Sequence, residues 1–241
     1  MELNRLYNED CIKGMERIGD KSIDLILTDL PYGLTSCKWD AVIPFNLLWG
    51  QYDRIIKNNG AVVLFAVQPF TTKLINSNIK HFRYCWYWKK NNVTGAPFSK
   101  VQPMRCIEDI CVFYKHKPTY NPQGLKKLEK AIIKATDKNN TLYQIRTKKK
   151  HRVQQYTNYP VHLLHFKNEA SSNKNRLHPT QKPLALCEYL VKTYTNEGDT
   201  VLDSCAGSGT TLVAAKNTGR QYIGFETDEK YFNVAAQRLL Q

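Results

Sequence analysis

TVLDSCAGSGTTLVAA, residues 200–215, is the stretch on which the fold turns. An apolar run ends on Asp203, a loop of small residues carries Gly207 and Gly209, and Thr210 and Thr211 open an Ala-rich helix. Small side chains let a ligand approach the backbone closely. A phosphate-binding Walker loop needs a Lys after its last Gly, whereas Gly209 is followed by Thr210. A dinucleotide fingerprint needs a third Gly, and position 212 is Leu. An acid at Asp203 repels a pyrophosphate but favours a ligand with an amine or a sulfonium. S-adenosylmethionine has both. The next apolar run, QYIGFE (221–226), ends in Glu226, placed to accept from two ribose hydroxyls. The bland alternative is a tight glycine turn with a strand-end acid that caps a neighbour.

Outward from this unit, short apolar runs alternate with helical patterns. Strands are predicted at 5–8, 23–28, 61–67, 83–88, 109–114, 200–203 and 221–226, and helices near 11–18, 44–58, 69–79, 183–195, 210–218 and 228–240. The alternation predicts an α/β domain around a mostly parallel sheet. The pattern fails over 116–175, which is polar, basic and rich in turn signals. Residues 115–152 hold twelve Lys and Arg against two acids, most of the chain's net charge of +14. Such a concentration, with a sequence pI near 9.4, points to a polyanion, most often nucleic acid. A solvated loop is the alternative.

At 241 residues and 42% hydrophobic, the chain can bury a sizeable core. Its beginning lacks the apolar stretch of a signal peptide, and no run of 18 apolar residues occurs, so a soluble, cytoplasmic protein with no membrane partner is expected. The seven cysteines form no C-x-x-C pair. They are expected to be reduced, and no metal site is expected.

Three motifs in order, DLPYG (29–33), HPTQKP (178–183) and DSCAGSGTT (203–211), resemble the β-class amino-group DNA methyltransferases, in which the catalytic motif precedes the cofactor motif. NEDC (8–11) and the C-terminal GRQYIGFETDEKYFNVAAQRL extend the resemblance to most of the chain outside 116–175. It implies a Rossmann-like, circularly permuted methyltransferase fold with a seven-stranded sheet. Residues 1–115 would be the catalytic half, 116–175 an inserted target-recognition region, and 176–241 the cofactor half, packed with the first as one domain. The implied cofactor is S-adenosylmethionine and the implied partner is double-stranded DNA in a prokaryotic or phage-infected cell. Whether the protein is a monomer or a homodimer, and whether a cognate restriction enzyme exists, are left open.

By the same resemblance, Asp203, Gly207, Gly209, Thr210 and Thr211 line the methionine portion of the cofactor and Glu226 holds its ribose. Asp10 and Cys11 lie near the adenine, and Thr180, Gln181, Lys182 and Pro183 close the methionine end beside Asp29. Lys182 is expected to pair with the methionine carboxylate. His178 reads as structural. Asp10 also suits the N-cap of the first helix. Trp86 and Trp88 read as core packing of an alternating strand, with Lys89 and Lys90 reaching DNA beyond them, together with Lys148, Lys149, Lys150 and Arg152.

The catalytic motif is expected to act as follows. An exocyclic amino group is a poor nucleophile because its lone pair is delocalised into the ring, so both hydrogens must be held. Asp29 supplies one acceptor and the carbonyl of Leu30 the other, with Pro31 biasing residue 30 toward an extended conformation. Tyr32 offers a flat face to a base taken out of the duplex, and Gly33 permits the turn. Asp at the first position favours adenine-N6 over cytosine-N4, where Ser is more common. Leu30 departs from the family's usual proline and puts the stiffness of the loop in question. A catalytically silent DNA-binding relative and a nicotinamide oxidoreductase are the rival readings, the second disfavoured by Asp203 and the glycine pattern.

Overall fold

The computed structural model describes residues 1–34, 40–135, 151–168 and 181–241. The chain forms two compact units, one of Met1–Asn121 with His162–Gln241 and the other of Pro122–Val161.

In the larger unit the chain runs β1 (Arg5–Tyr7), α1 (Cys11–Glu16), β2 (Ile23–Asp29), α2 (Phe45–Ile55), β3 (Ile56–Ala66), α3 (Phe70–Ser77), β4 (Phe82–Thr94) and β5 (Arg105–Phe113). The smaller unit carries β6 (Lys126–Ala135) and β7 (His151–Thr157). The larger unit resumes with β8 (Leu163–His165), α4 (Leu184–Tyr194), β9 (Thr200–Asp203), α5 (Thr210–Asn217), β10 (Gln221–Phe225) and α6 (Glu229–Leu240). One sheet orders its strands β1-β10-β9-β2-β3-β5-β4-β8. From β1 to β3 every pairing is parallel, β5 is antiparallel to both β3 and β4, and β8 is parallel to β4.

Side-chain alternation in β2 splits the core between the two faces of the sheet. Ile26 packs on one face with Leu48 and Tyr52 of α2, Leu64 and Phe225. Leu25 and Leu27 pack on the other with Trp86, Trp88, and Leu186 and Leu190 of α4. All of β2 up to Thr28 is buried, as a strand covered on both faces must be. Each of these aliphatic side chains contributes roughly 1.5–3 kcal/mol by leaving water. Trp86 and Trp88 are core residues, as expected: their indole N–H groups donate to the Tyr194 hydroxyl at 2.6 Å and to the Phe166 carbonyl at 2.9 Å.

Chain order places the functional edge. From β9 the chain passes through α5 to β10 on one side, while from β2 it passes through α2 to β3 on the other. Between β9 and β2 the winding reverses, and the crevice outside their carboxyl ends is where open α/β sheets bind ligands. Asp203 is the last residue of β9 and Asp29 the last of β2.

Several expectations are corrected. The main sheet has eight strands rather than seven, because Leu163–His165 returns from the supposed insertion and pairs with Tyr87–Lys89. The segment 116–175 is not one irregular insertion. Residues up to 121 and from 162 belong to the larger unit, and β6 and β7 pair antiparallel within the smaller one. KKLEKAIIKA lacks a strand's alternation; cross-strand pairing to β7 supplies what the local pattern does not. β3 begins at Ile56 rather than 61, with a register shift that takes up the polar turn before Ala61. No helix among the described residues is long and apolar enough to cross a membrane.

Candidate active site

The cofactor loop is built by hydrogen bonds that the glycines make possible. Gly207 and Gly209 have φ of 52° and 75°, and Gly209 caps α5 in the left-handed conformation. A Cβ at Gly209 would also lie 2.8 Å from the Ala235 Cβ of α6, so the loop is seated closely against that helix. Gly207 N–H donates to Glu226 Oε2 at 2.7 Å and Asp228 N–H to Glu226 Oε1 at 2.8 Å. Backbone donors thus fix the orientation of the carboxylate, which has lone-pair capacity left for a ligand. Burial pushes the Glu226 carboxyl above its usual range, against the backbone N–H groups of Asp228, Gly207 and Thr227. On α6, Arg238 donates to the Ser208 carbonyl at 2.6 Å and to Thr210 Oγ1 at 3.1 Å, which fixes the far side of the loop.

Asp203 is 3% exposed and accepts the Cys205 N–H at 3.1 Å. Burial raises its carboxyl to about 7, only partly offset by that N–H and by the hydroxyls of Thr211 and Thr28. A buried carboxyl so destabilised in its charged form is a seat for a cation. The first helix closes the other side: Asp10 accepts from Lys13 N–H at 3.1 Å as the N-cap of α1, and the Cys11 thiol touches that of Cys205. Asn8 donates to the Glu226 carbonyl at 2.8 Å and so binds this corner to the end of β10. Glu226, Asp203, Asp29 and the Asp10 turn therefore line one edge of four adjacent strands. Small glycines, a buried acid and a half-satisfied ribose acceptor suit an adenosyl ligand with a cationic tail.

At Asp29 the structure goes beyond expectation. Tyr32 donates its hydroxyl to Asp29 Oδ1 at 2.6 Å, and Lys182 Nζ lies 2.5 Å from Asp29 Oδ2. Lys182 also meets Glu108 Oε1 at 2.9 Å, and Glu108 Oε2 meets Lys90 Nζ at 2.5 Å. Burial pushes the Asp29 carboxyl up, Lys182 pulls it down and Glu108 pushes it up again, with a net rise. Glu108 is held below its usual range because Lys182 and Lys90 overcome its burial. For Lys182, burial is outweighed by the two carboxylates, and its ammonium is held above the ordinary range.

Lys182, expected on the methionine carboxylate, has two carboxylate partners from the chain itself. Lys90, expected on DNA, turns inward to Glu108 and over the Trp88 ring, because it shares that face of β4 with Trp86 and Trp88. Lys89, on the opposite face, is exposed. Gln181 is half-buried and Pro183, buried, occupies the N-cap position of α4. Thr180, His178, Lys148, Lys149 and Lys150 lie outside the described residues, and Arg152 is placed by its backbone in β7, opposite Lys134.

Two residues that join the candidate site escaped the sequence reading. Glu108 is an acid within the apolar strand RCIEDICVF, and that interruption was the available signal. Asp40 is buried and accepts from Tyr32 and Gly33 N–H through Oδ1 at 2.7 and 2.9 Å and from Leu34 N–H through Oδ2 at 2.8 Å. These three bonds hold the loop after Pro31, and Leu30 anchors its start with a side chain buried in the core. The stiffness that proline supplies elsewhere is met here by a clamp and an anchor.

A family model described as DNA methylase, of the N6/N4 type, matches residues 23–237. The chain is 27% identical over 251 residues to the Type II methyltransferase M.HpaI of Haemophilus parainfluenzae, spanning 98% of this chain and 74% of that protein. Among solved structures, the M1.HpyAVI–SAM complex superposes with a TM-score of 0.67 at 25% identity, covering 98% of this chain and 99% of that one. The cytosine-N4-specific PvuII DNA methyltransferase shares the fold, with a TM-score of 0.70 at 18% identity, over 98% of this chain and 86% of that one.

Proposed function

The chain belongs to the family of N6/N4 DNA methylases, and from that premise we propose that it transfers a methyl group from S-adenosylmethionine to the N6 amino group of adenine in DNA. Methylation of exocyclic amino groups in DNA is the common activity of the family. The observation that carries the proposal is the juxtaposition of two strand ends at the switch point, Asp203 on β9 and Asp29 with Tyr32 on β2.

Bound along this edge, S-adenosylmethionine supplies an electrophilic methyl group on a sulfonium. Asp203 faces the cationic portion and Glu226 the ribose hydroxyls. The two oxygens of Asp29, held by Tyr32 and Lys182, each retain a lone pair for an amino hydrogen, and the carbonyl of Leu30 is assigned the second hydrogen. With its hydrogens held, the amine directs its nitrogen lone pair at the methyl carbon. As the N–C bond forms and the S–C bond breaks, the surplus proton leaves through Asp29 or to water. An acceptor carboxylate, rather than a hydroxyl, at position 29 supports adenine over cytosine.

For DNA, the ladder of β4 and β5 runs past its last pair with β3, Ala66 with Asp109, out to Thr94 with Arg105, on the side of Asp29. Residues 89–105 carry four cationic side chains and no acid. Lys89 and Lys100 are exposed there beside exposed Val93, Phe98 and Val101. Phosphates are assigned to this projection and to the basic segment holding Lys148, Lys149, Lys150 and Arg152. Likeness to the bacterial Type II methyltransferase M.HpaI supports action on DNA in the cytoplasm, with a cognate restriction enzyme left open.

Incubation with unmethylated DNA and tritiated S-adenosylmethionine, followed by nucleoside analysis, is expected to place the label in N6-methyladenine. Label in N4-methylcytosine would overturn the choice of base, and no label at all would favour the silent relative.

Glu226 gives a separate check on the cofactor. Glu226→Ala is expected to weaken S-adenosylmethionine binding by about 1–3 kcal/mol, while Glu226→Gln, which keeps one acceptor oxygen, loses less. Calorimetry showing wild-type affinity in the alanine variant would remove Glu226 from the pocket.

A further inference from the structure

Lys90, Glu108, Lys182 and Asp29 form an alternating row of cation and anion from β4 through β5 and the segment before α4 to the end of β2. Consecutive contacts are 2.5, 2.9 and 2.5 Å. Side-chain exposure is 17% at Lys90, 4% at Glu108, 9% at Lys182 and 26% at Asp29. The row is therefore driest in its middle and opens at the carboxylate assigned to the substrate. A buried Lys–Glu–Lys arrangement is costly to desolvate, and hydrophobic residues would fill the space at least as stably. Its presence calls for a role besides stability.

We propose that Glu108 is a positioning residue for methyl transfer: by sharing the Lys182 ammonium with Asp29, it governs how tightly that cation holds the Asp29 carboxylate and in which orientation the carboxylate meets the amino group. The inference rests on the assignment of Asp29 to the reaction. Were Lys182 paired with Asp29 alone, the carboxylate would be bound to a full positive charge and would be a weak acceptor of hydrogen bonds and protons. Glu108 divides that hold and adds its own negative charge nearby. The direction agrees with the titration of the site, where Glu108 raises the Asp29 carboxyl and Lys182 lowers it. The other groups facing Asp29 are the Tyr32 hydroxyl, Asp203 on β9 and the Cys187 thiol on α4, with Lys90 acting through Glu108. Lys90 opposes Glu108, so the two should tune Asp29 in opposite directions.

The test is the pH dependence of single-turnover methyl transfer in the full-length chain, with unmethylated DNA as acceptor. On the acid side the rate falls as Asp29 takes a proton. Glu108→Gln is expected to move this limb to lower pH by about one unit and to lower the plateau about tenfold, leaving S-adenosylmethionine affinity within about threefold of wild type. Glu108→Asp, which keeps the charge, should return the limb to its wild-type position. Lys90→Gln should move it to higher pH, and this variant also serves if Glu108→Gln does not fold. Carbon-13 NMR titration of the Asp29 carboxyl reads the same shifts without requiring turnover, so a failure of the catalytic assignment is distinguishable from a failure of the role given to Glu108. Limbs that coincide in wild type, Glu108→Gln and Lys90→Gln would overturn the proposal. A carboxyl titration that moves while the rate limb does not would overturn the assignment of Asp29 to the reaction and, with it, the role given to Glu108 in transfer.

Discussion

Asp29→Ala is expected to lower the single-turnover rate of methyl transfer on the order of a thousandfold, several kcal/mol of barrier, while S-adenosylmethionine affinity stays close to wild type. On the proposed assignment the carboxylate accepts the amino hydrogens, and its two oxygens are aimed by Tyr32 at 2.6 Å and Lys182 at 2.5 Å. Removing it takes away an acceptor preorganised in a partly dry site, which no water replaces with the same geometry. The fold should survive, because Lys182 retains Glu108 at 2.9 Å and is not left as an unpaired buried cation. Asp29→Asn should be comparably slow, since the amide keeps the shape but loses the charge, and with its oxygen turned to the Lys182 ammonium its NH2 is no acceptor for an amino hydrogen. Transfer at the wild-type rate in Asp29→Ala would show that this loop is not the reacting centre.

The second large effect is expected at Asp203, where function and stability should part. The carboxyl has an ordinary value of 3.8 and is raised to about 7 in the fold, chiefly by burial. Between those values the folded protein holds a proton that the unfolded chain has released, so the contribution of this group to stability is greatest below about pH 4 and is lost as pH rises toward 7. The full loss is at most about 4 kcal/mol on the linkage relation. Asp203→Asn removes the titrating group. Without cofactor the variant should therefore melt several degrees higher than wild type at pH 8 and near the same temperature at pH 4. Its cofactor affinity should fall about a hundredfold, because the neutral amide offers no attraction to a sulfonium or an ammonium. In wild type, affinity should increase with pH up to about 7 and then level off, as the ionised carboxyl is the binding form. Melting curves at both pH values, with and without S-adenosylmethionine, measure all of this. A variant that binds as wild type would remove Asp203 from the cofactor's cationic end.

The parts of the protein legible in its sequence are those whose causes are local. An apolar run ending in an acid, followed by small residues and an Ala-rich helix, yields the β9, loop and α5 unit because strand period, glycine conformation and helix propensity act within a few residues. The same holds for β2 and its DLPYG turn, and for the Asp10 cap of α1. The residue types at these strand ends are local as well: Asp203 and Glu226 lead the sequence reading to expect an adenosyl cation rather than a phosphate before any contact is known.

Tertiary structure decided what depends on register and on pairing between distant segments. Lys182 and Asp29 are 153 positions apart, and nothing near Lys182 in the chain reports that its ammonium lies between two carboxylates. Lys90 reads as one of several cations in a basic run. Only the pleat of β4, which aligns it with Trp86 and Trp88, and the pairing that sets Trp88 opposite Glu108 turn it inward. Asp40 holds the catalytic loop through three backbone N–H groups, and Leu30 could be weighed as a departure from the family pattern only once its burial beside that clamp was known. Backbone period and turn chemistry are properties of a short stretch of chain, so the sequence by itself determined the elements and the strand ends that carry the chemistry. The charge on a buried carboxylate depends on every group within a few ångströms, whatever its place in the chain, so its partners were decided by the packed sheet.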